Sequence, residues 1–511
     1  MIRRLLVANR GEIAIRVART ARAMGIRCIG VYSEADRAAL HVAAMDEARE
    51  IGPAAPSESY LHIGRILRAA RSARADAIHP GYGFLAENPA FATRCAEAGV
   101  TFVGPPAEAM RLAADKIAAR RHMVRAGVPV TAGVDQVVRT SEEAAEVARG
   151  LGYPVLFKAT GGGGGIGMAR VDRPSQIEHA FDTARSVALA NFGTPDLFLE
   201  KYIERVRHIE VQILLGPRGQ GVHLGERECS VQRRHQKLVE ETPCPALTAR
   251  DRAEIGRTAL RGLTSMGYRN AGTVEFLYRQ GRFTFNEVNA RLQVEHAITE
   301  ATTGIDLVRQ QLLVASGDGL EVSQSEVVLR GHAIECRINA EDPMRNFLPS
   351  PGRITSYREP TDPAVRVDSG VAAGSTVPPM YDPLVAKLIV KGPSRTDAIR
   401  KTRHALDNFE IRGIKTTIPF HQALLGTPHF TRGRLWTTMV SDLRIAERLR
   451  SRGPWEVRVA AIAAVLAART DLGAFGGAGQ PVVIRPRPWA LAGRREQIAR
   501  GVDAVPSHRR W

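Results

Sequence analysis

Lysine is scarce in this chain. It stands at eight positions (116, 158, 201, 237, 387, 391, 401 and 415) among 71 basic residues, the rest being arginine. Aromatic residues make up 5%, and none of the five cysteines, at 28, 95, 229, 244 and 336, belongs to a CxxC pair. That spacing indicates neither a zinc site nor a disulfide framework, and it fits a reducing cytoplasm. No apolar run approaches the roughly 20 residues that cross a bilayer; the Ala-rich stretch Val457 to Ala468, read as a helix, is far shorter. The N-terminus carries Arg3-Arg4 and only a short apolar strand before Asn9, so a secretory signal is not expected. The net charge of +18 raises nucleic-acid binding as a reading from a different class. No recognition module accompanies that charge, and anionic substrates with an Arg-rich composition suffice.

What is present is patterned. Glu287, Asn289, Arg291, Gln293 and Glu295 alternate with Val288, Ala290, Leu292 and Val294. Strand side chains repeat every two residues, so the pattern predicts one extended segment with all five polar groups on one face. Upstream, Thr273 to Tyr278 and Arg282 to Glu287 flank Gln280-Gly281, which predicts a hairpin laying Glu275 beside Glu287 on strands about 5 Å apart. Paired hard oxygen ligands suit Mg²⁺, which takes one or two carboxylates and completes its shell with water and phosphate. A surface salt-bridge ladder is the bland alternative.

The apolar segment Val155 to Thr160 leads into Gly161 to Gly165 and Gly167. Glycine costs about 0.5 to 1 kcal/mol relative to alanine in a regular element, so such a run implies close backbone approach or motion. Gly162, Gly164 and Gly167 match a GxGxxG spacing, but Met168 to Val171 reads as a strand, whereas the dinucleotide fingerprint needs a helix there. No GxxxxGK[ST] occurs either, which leaves a strand-loop-strand flap able to fold over a triphosphate, with a plain flexible linker as the alternative. Four of the eight lysines, 116, 158, 201 and 237, fall in these motifs. A compact ammonium binds phosphate as a point charge where a forked guanidinium does not fit.

These residues carry a resemblance. From Ile2 to about Leu443 the chain resembles the biotin carboxylases of the ATP-grasp superfamily. The matching blocks are Ala8 to Ala14, His79 to Leu85, the Lys158 glycine loop, Arg207 to Gln212, Ser230 to Lys237, Glu287 to His296 and Glu335 to Asp342. The resemblance implies an ATP-dependent ligase that joins bicarbonate to the γ-phosphate of ATP and then carboxylates biotin. By position it implies that Lys116, Lys158 and the loop glycines Gly163, Gly164 and Gly165 hold the triphosphate. Glu200, Lys201, Ile203, His208, Gln232 and His235 line the nucleotide pocket, and Glu275, Glu287 and Asn289 hold Mg²⁺ or Mn²⁺. Glu295 is the implied general base on a bicarbonate held by Lys237, Arg291, Gln293 and Val294, and Arg337 stabilises the biotin anion. The family's biotinyl lysine sits in a Met-Lys-Met tripeptide that is absent here, so the implied partners are a separate biotin carboxyl carrier protein and a carboxyltransferase. A homodimer in the cytoplasm, with neither nucleic acid nor membrane as partner, is expected.

An acyl-CoA carboxylase acting on acetyl-CoA or propionyl-CoA is the first reading, with pyruvate, urea or another carboxylate–amine ligation as alternatives. Three departures stand out: Ile166 where relatives carry a flap cation, a loss that either is offset by Arg170 or weakens closure, Asn286 for an apolar residue, and Ala297 for proline. The expected fold is α/β with α+β character. It comprises a doubly wound parallel-sheet domain at 1–113, an ATP-grasp domain at 114–329 with a mobile glycine-rich lid near 130–203, and a mixed C-terminal domain at 330–443. An Arg/Ala/Gly-rich extension follows at 444–511; residues 446–511 hold twelve arginines against five acids, and the extension is read as a docking or partly disordered segment.

Overall fold

The structure, a computed structural model, describes residues 2–161, 165–450, 462 and 465. The chain divides into two units, Met1–Arg450 and Ser451–Trp511. The helix expected at Val457 to Ala468 lies, apart from Ile462 and Val465, outside the described residues, as do Gly162, Gly163 and Gly164.

The first strands, β1 (Arg4–Val7), β2 (Arg27–Ser33), β3 (Glu47–Gly52), β4 (Ala77–His79) and β5 (Thr101–Phe102), form a sheet in the order β3-β2-β1-β4-β5. All its pairings are parallel. Near-continuous apolar strands such as Leu5, Leu6 and Val7 are buried on both faces, as a doubly wound sheet requires. Helix α1 (Gly11–Ala23) turns Ile13, Ala14, Val17, Ala18 and Ala21 toward one side of it.

Strands β6 (Val155–Ala159), β7 (Ala169–Val171) and β8 (Leu197–Lys201) make an antiparallel sheet in the order β7-β6-β8. Helices Ser141–Leu151 and Ile177–Phe192 cover it, and together they enclose a separate apolar core that includes Phe157, Phe181 and Leu199. The glycine run joins β6 to β7, so the strand-loop-strand reading holds for the described residues on either side of it.

Strands β9 (Arg207–Leu215), β10 (Gly221–Arg233), β11 (Gln236–Thr242), β12 (Asn270–Arg279), β13 (Arg282–Asn289) and β14 (His332–Asn339) continue through Leu384–Gly392 to Val365–Ser369 in one eight-stranded sheet. Its order is β13-β12-β9-β10-β11-β14, then the last two. β9 explains how this sheet builds a site. Ile209, Val211, Ile213 and Leu215 enter the apolar core on one face, while His208, Glu210 and Gln212 are buried on the other. A strand whose polar face is also shielded from water has been given a function beyond packing.

Candidate active site

The predicted hairpin is present. β12 and β13 are antiparallel, Glu275 and Glu287 are direct register partners, and the turn residues Gln280 and Gly281 have φ of 50° and 79°. Positive φ at both central positions gives the turn whose twist matches the strands it joins. The ladder shifts register between Glu275 and Phe276, leaving Asn286 unpaired in a bulge that points its amide into the cavity.

The predicted extended row is only partly a strand. β13 ends at Asn289, and Gln293 to Glu295 form a turn that enters the helix His296–Thr303. The reason lies in hydrogen bonding. The Ala290 N–H donates to the Glu87 carboxylate at 2.8 Å in place of a neighbouring strand. The His296 Nδ1–H then closes the turn on the Gln293 carbonyl at 2.7 Å. All five polar residues nevertheless line one cavity of about 920 Å³, together with Lys116, Lys158, Gly165, Glu200, Lys201, Ile203, His208, Gln232, His235, Lys237, Glu275, Val294 and Arg337.

At the nucleotide end, Lys158 on β6 pairs with Glu200 on β8 at 2.7 Å and donates to Asn286 Oδ1 at 3.1 Å. Lys116 begins the helix Lys116–Arg125 and lies 3.7 Å from Glu287. The Lys201 ammonium is committed to the carbonyls of Gly152 and Tyr153, at 2.9 and 3.0 Å. His235 sits in the β10–β11 turn with φ of 66°, beside Gly165 of the flap. Burial, and then the charges of His208, Lys158 and Lys116, hold its imidazole below the ordinary range. Arg170 does not replace the missing flap cation: it pairs with Asp172 and Glu204 and lies over the Tyr202 ring. Ile166 is exposed, and Ala297 is buried near the start of its helix.

At the other end the charges interlock. Lys237 Nζ meets Glu295 Oε1 at 2.6 Å, Glu275 Oε1 at 3.0 Å and also Glu210. Arg337 donates through Nη2 to Glu295 Oε2 at 2.8 Å and through Nε to Glu240 Oε1 at 2.6 Å. Burial alone would raise the Glu295 carboxyl; Lys237, Arg337 and Arg227 outweigh it and hold the group well below the ordinary range, so it is ionised. The same balance, struck by His208 and Lys237, keeps Glu275 ionised. Arg291 is anchored by Glu87 at 2.9 Å.

The donors also fit a hard divalent cation. Asn289 donates to Glu275 at 2.8 Å, placing the predicted trio on one wall. Burial and then the Glu275 charge raise the Glu287 carboxyl, a repulsion that a cation between the two would relieve. Ligand atoms of His208, Glu210 and Glu275 also lie within 4.8 Å of one another, but the Lys237 ammonium already joins Glu210 and Glu275.

Sequence reasoning missed the residue that orders this wall. Arg227 on β10 is fully buried and donates to Glu210, Gln212, Thr273, Gln293 and Thr299 at 2.5 to 3.2 Å. Only a fixed fork of five N–H donors can serve so many acceptors. Its signal was the alternation of His208, Glu210 and Gln212, whose buried polar face demands a cation opposite. Lys387 was also missed; it is fully buried and donates to the Val294 carbonyl at 2.9 Å.

An antiparallel three-stranded layer covered by two helices, lysines facing an acidic strand pair, and a cavity wall on which Lys237 and Arg337 meet carboxylates define an ATP-grasp ligase. Family models agree. "Biotin carboxylase, N-terminal domain" matches residues 1–110, "Carbamoyl-phosphate synthase L chain, ATP binding domain" matches 115–323, and "Biotin carboxylase C-terminal domain" matches 335–442. A pyruvate carboxylase component of Methanothermobacter thermautotrophicus is 51% identical over 444 residues, 87% of this chain and 90% of that one. A biotin carboxylase of Nostoc sp. is 49% identical over 441 residues, 86% and 99% of the two chains. The solved biotin carboxylase–βγ-ATP complex from Campylobacter jejuni superposes with a TM-score of 0.85 at 46% identity, covering 86% of this chain and 99% of that one. The biotin carboxylase domain of Hydrogenobacter thermophilus 2-oxoglutarate carboxylase, solved with MgADP, ADP and bicarbonate, also gives 0.85, at 43% identity over 87% and 98%. The chain belongs to the biotin carboxylase family. It is an ATP-dependent ligase of a biotin-dependent carboxylase, using Mg²⁺, bicarbonate and biotin borne on a separate carrier. Among the described residues, no helix is long and apolar enough to cross a membrane.

Proposed function

We propose that this chain charges carrier-borne biotin for an acyl-CoA carboxylase whose final acceptor is acetyl-CoA or propionyl-CoA. The observation that carries the chemistry is Glu295 held between Lys237 and Arg337 at 2.6 and 2.8 Å, at the cavity wall. Bicarbonate would lie among Lys237, Arg291, Gln293 and Val294, where its charge draws Lys237 partly away from Glu295. That withdrawal raises the proton affinity of Glu295, which takes the bicarbonate proton as the oxygen attacks the γ-phosphorus. ADP leaves and carboxyphosphate forms; it breaks down to carbon dioxide and inorganic phosphate, the phosphate takes the proton of the biotin ureido N–H, and the freed nitrogen bonds to the carbon of carbon dioxide. Arg337, protonated throughout, supplies a fixed positive field for the biotin anion.

Lys116, Lys158 and Gly163 to Gly165 would hold the triphosphate, with Glu200, Lys201, Ile203, His208, Gln232 and His235 around the nucleoside. Glu275, Glu287 and Asn289 would hold Mg²⁺ or Mn²⁺, which when bound neutralises the charge of the transferring phosphate. Residues near 130–203 would move as a lid, a reading supported by their separate apolar core and by the need to shield carboxyphosphate from water. The partners would be a biotin carboxyl carrier protein and a carboxyltransferase, with the chain a homodimer in the cytoplasm and the pathway fatty-acid synthesis. Pyruvate as acceptor is the second reading, favoured by the relative named for pyruvate carboxylase.

Phosphate release from Mg·ATP that requires both bicarbonate and biotin is the expected result, and its absence would defeat the proposal. Purification from the native source with its biotinylated partner, followed by identification of the transferase, separates the acyl-CoA from the pyruvate reading.

A further inference from the structure

Two buried carboxyls behind Arg337 take no part in the chemistry above. Glu240 on β11 and Glu335 on β14 are register partners across their antiparallel ladder, and neither is exposed. Opposed side chains in such a ladder lie on the same sheet face with Cβ atoms about 5 Å apart. Glu240 Oε1 accepts from Arg337 Nε at 2.6 Å. Its Oε2 and both oxygens of Glu335 have no hydrogen-bond partner among the described residues.

The charges facing the pair come from every neighbouring element: Lys237 on β11, Arg337 on β14, Glu295 in the turn, and Lys387 on Leu384–Gly392. Lys387 is committed to Glu12 at 3.1 Å and to the Val294 carbonyl, and Lys237 to Glu210, Glu275 and Glu295. One guanidinium edge is therefore the only cation bonded to the pair among the described residues. Two ionised carboxylates with three bare oxygens are not sustained in so dry a place. One proton resolves the conflict. A Glu335 O–H donated to Glu240 Oε2 would leave one bare oxygen of the three and a single negative charge facing Arg337.

We propose that Glu240 and Glu335 share one proton and act as a positioning pair for Arg337, retaining its Nε edge while its Nη2 edge passes from Glu295 to the substrate anion. A doubly ionised pair would compete with the substrate for the guanidinium, and a doubly protonated one would release it. Burial pushes both carboxyls up, Glu240 to about 7, in keeping with a retained proton.

Infrared difference spectra of the full chain at neutral pH test the shared proton without reference to turnover. Glu335→Gln is expected to lose the carbonyl band of a buried carboxylic acid. Glu240→Gln is expected to shift that band, because the acid then donates to an amide oxygen. No lost band in the first and no shift in the second would overturn the proposal. The kinetic arm rests on the biotin-carboxylating reading. The wild-type pH profile of biotin-dependent kcat should fall on the alkaline side as the shared proton leaves. Glu335→Gln, whose amide keeps donating to Glu240, should lose that limb. A superimposable profile would overturn the positioning role. A wild-type chain without biotin-dependent turnover would count against the carboxylase reading alone, and the spectra would still decide the pair.

Discussion

The ammonium of Lys387 bonds the carbonyl of Val294 at 2.9 Å from the side of the turn away from the cavity. It also meets Glu12 of α1 at 3.1 Å and Asp368 of Val365–Ser369 at 3.8 Å, with no exposure of its own. The turn that presents Glu295 is thus fixed from behind by one buried cation shared between distant parts of the chain.

Lys387→Met removes that cation and leaves Glu12 and Asp368 buried without it. Breaking one side of a buried ion pair costs about 3 to 5 kcal/mol. The expected outcome is a denaturant midpoint lowered accordingly and a raised KM for bicarbonate with a smaller change in KM for ATP. An unchanged bicarbonate KM in the folded variant would show that the turn holds its shape without Lys387.

Glu295→Gln keeps the shape of the side chain and removes the proposed proton acceptor. Bicarbonate-dependent ATP cleavage should fall by about 10² to 10⁴, the usual contribution of a positioned base. Nucleotide affinity, measured by calorimetry, should stay near the wild-type value. Wild-type turnover in this variant would remove Glu295 from the base role.

Gly165 has φ of +76°, and a Cβ there would lie 2.3 Å from the His235 ring. Gly165→Ala should therefore raise KM for ATP, by about tenfold for each 1.4 kcal/mol of strain not relieved by movement of the ring. Adding His235→Ala removes the clash but not the backbone strain, so the double variant should recover part of any loss due to the clash. Equal ATP affinity in wild type and Gly165→Ala would mean that the flap does not seat against His235.

His41, His79 and His421 are buried and neutral, each held at about 4 against an ordinary 6.5, with burial the first cause. His79 shows why. Its Nδ1 accepts from the Gly81 N–H at 3.0 Å and its Nε2–H faces Gln311 at 3.2 Å, so a second ring proton would break the first bond. The unfolded chain binds these protons first as pH falls. Their stabilisation is complete above 6.5 and is lost toward 4. Urea midpoints should decline as pH is lowered from about 7.5 to about 5, and His79→Gln should flatten the slope. A slope unchanged by that variant would assign the acid sensitivity to other groups.

Much of the fold was legible because its signals are local. Gln280-Gly281 between alternating segments fixed the β12–β13 register and so the opposition of Glu275 and Glu287. The apolar runs on either side of the glycines fixed β6 and β7. The row from Glu287 to Glu295 misled in one respect, because alternation reports side-chain spacing and not which group the backbone bonds. Past Asn289 the Ala290 N–H donates to Glu87, 203 residues away. Arg227, Glu240 and Lys387 escaped for a related reason. Each is defined by partners brought in from other strands and turns, and no local pattern separates a buried ion from a solvated one.

The β11–β14 ladder, running from Val239 opposite Cys336 to Thr242 opposite Ala333, also has a mechanical consequence. Main-chain bonds along that seam make the walls carrying Lys237 and Arg337 one stiff plate. Movement of the proposed lid to admit and release nucleotide would then fall to the crossings into and out of the β7-β6-β8 layer. The half of the pocket that carries Lys237 and Arg337 would keep its spacing through the proposed reaction.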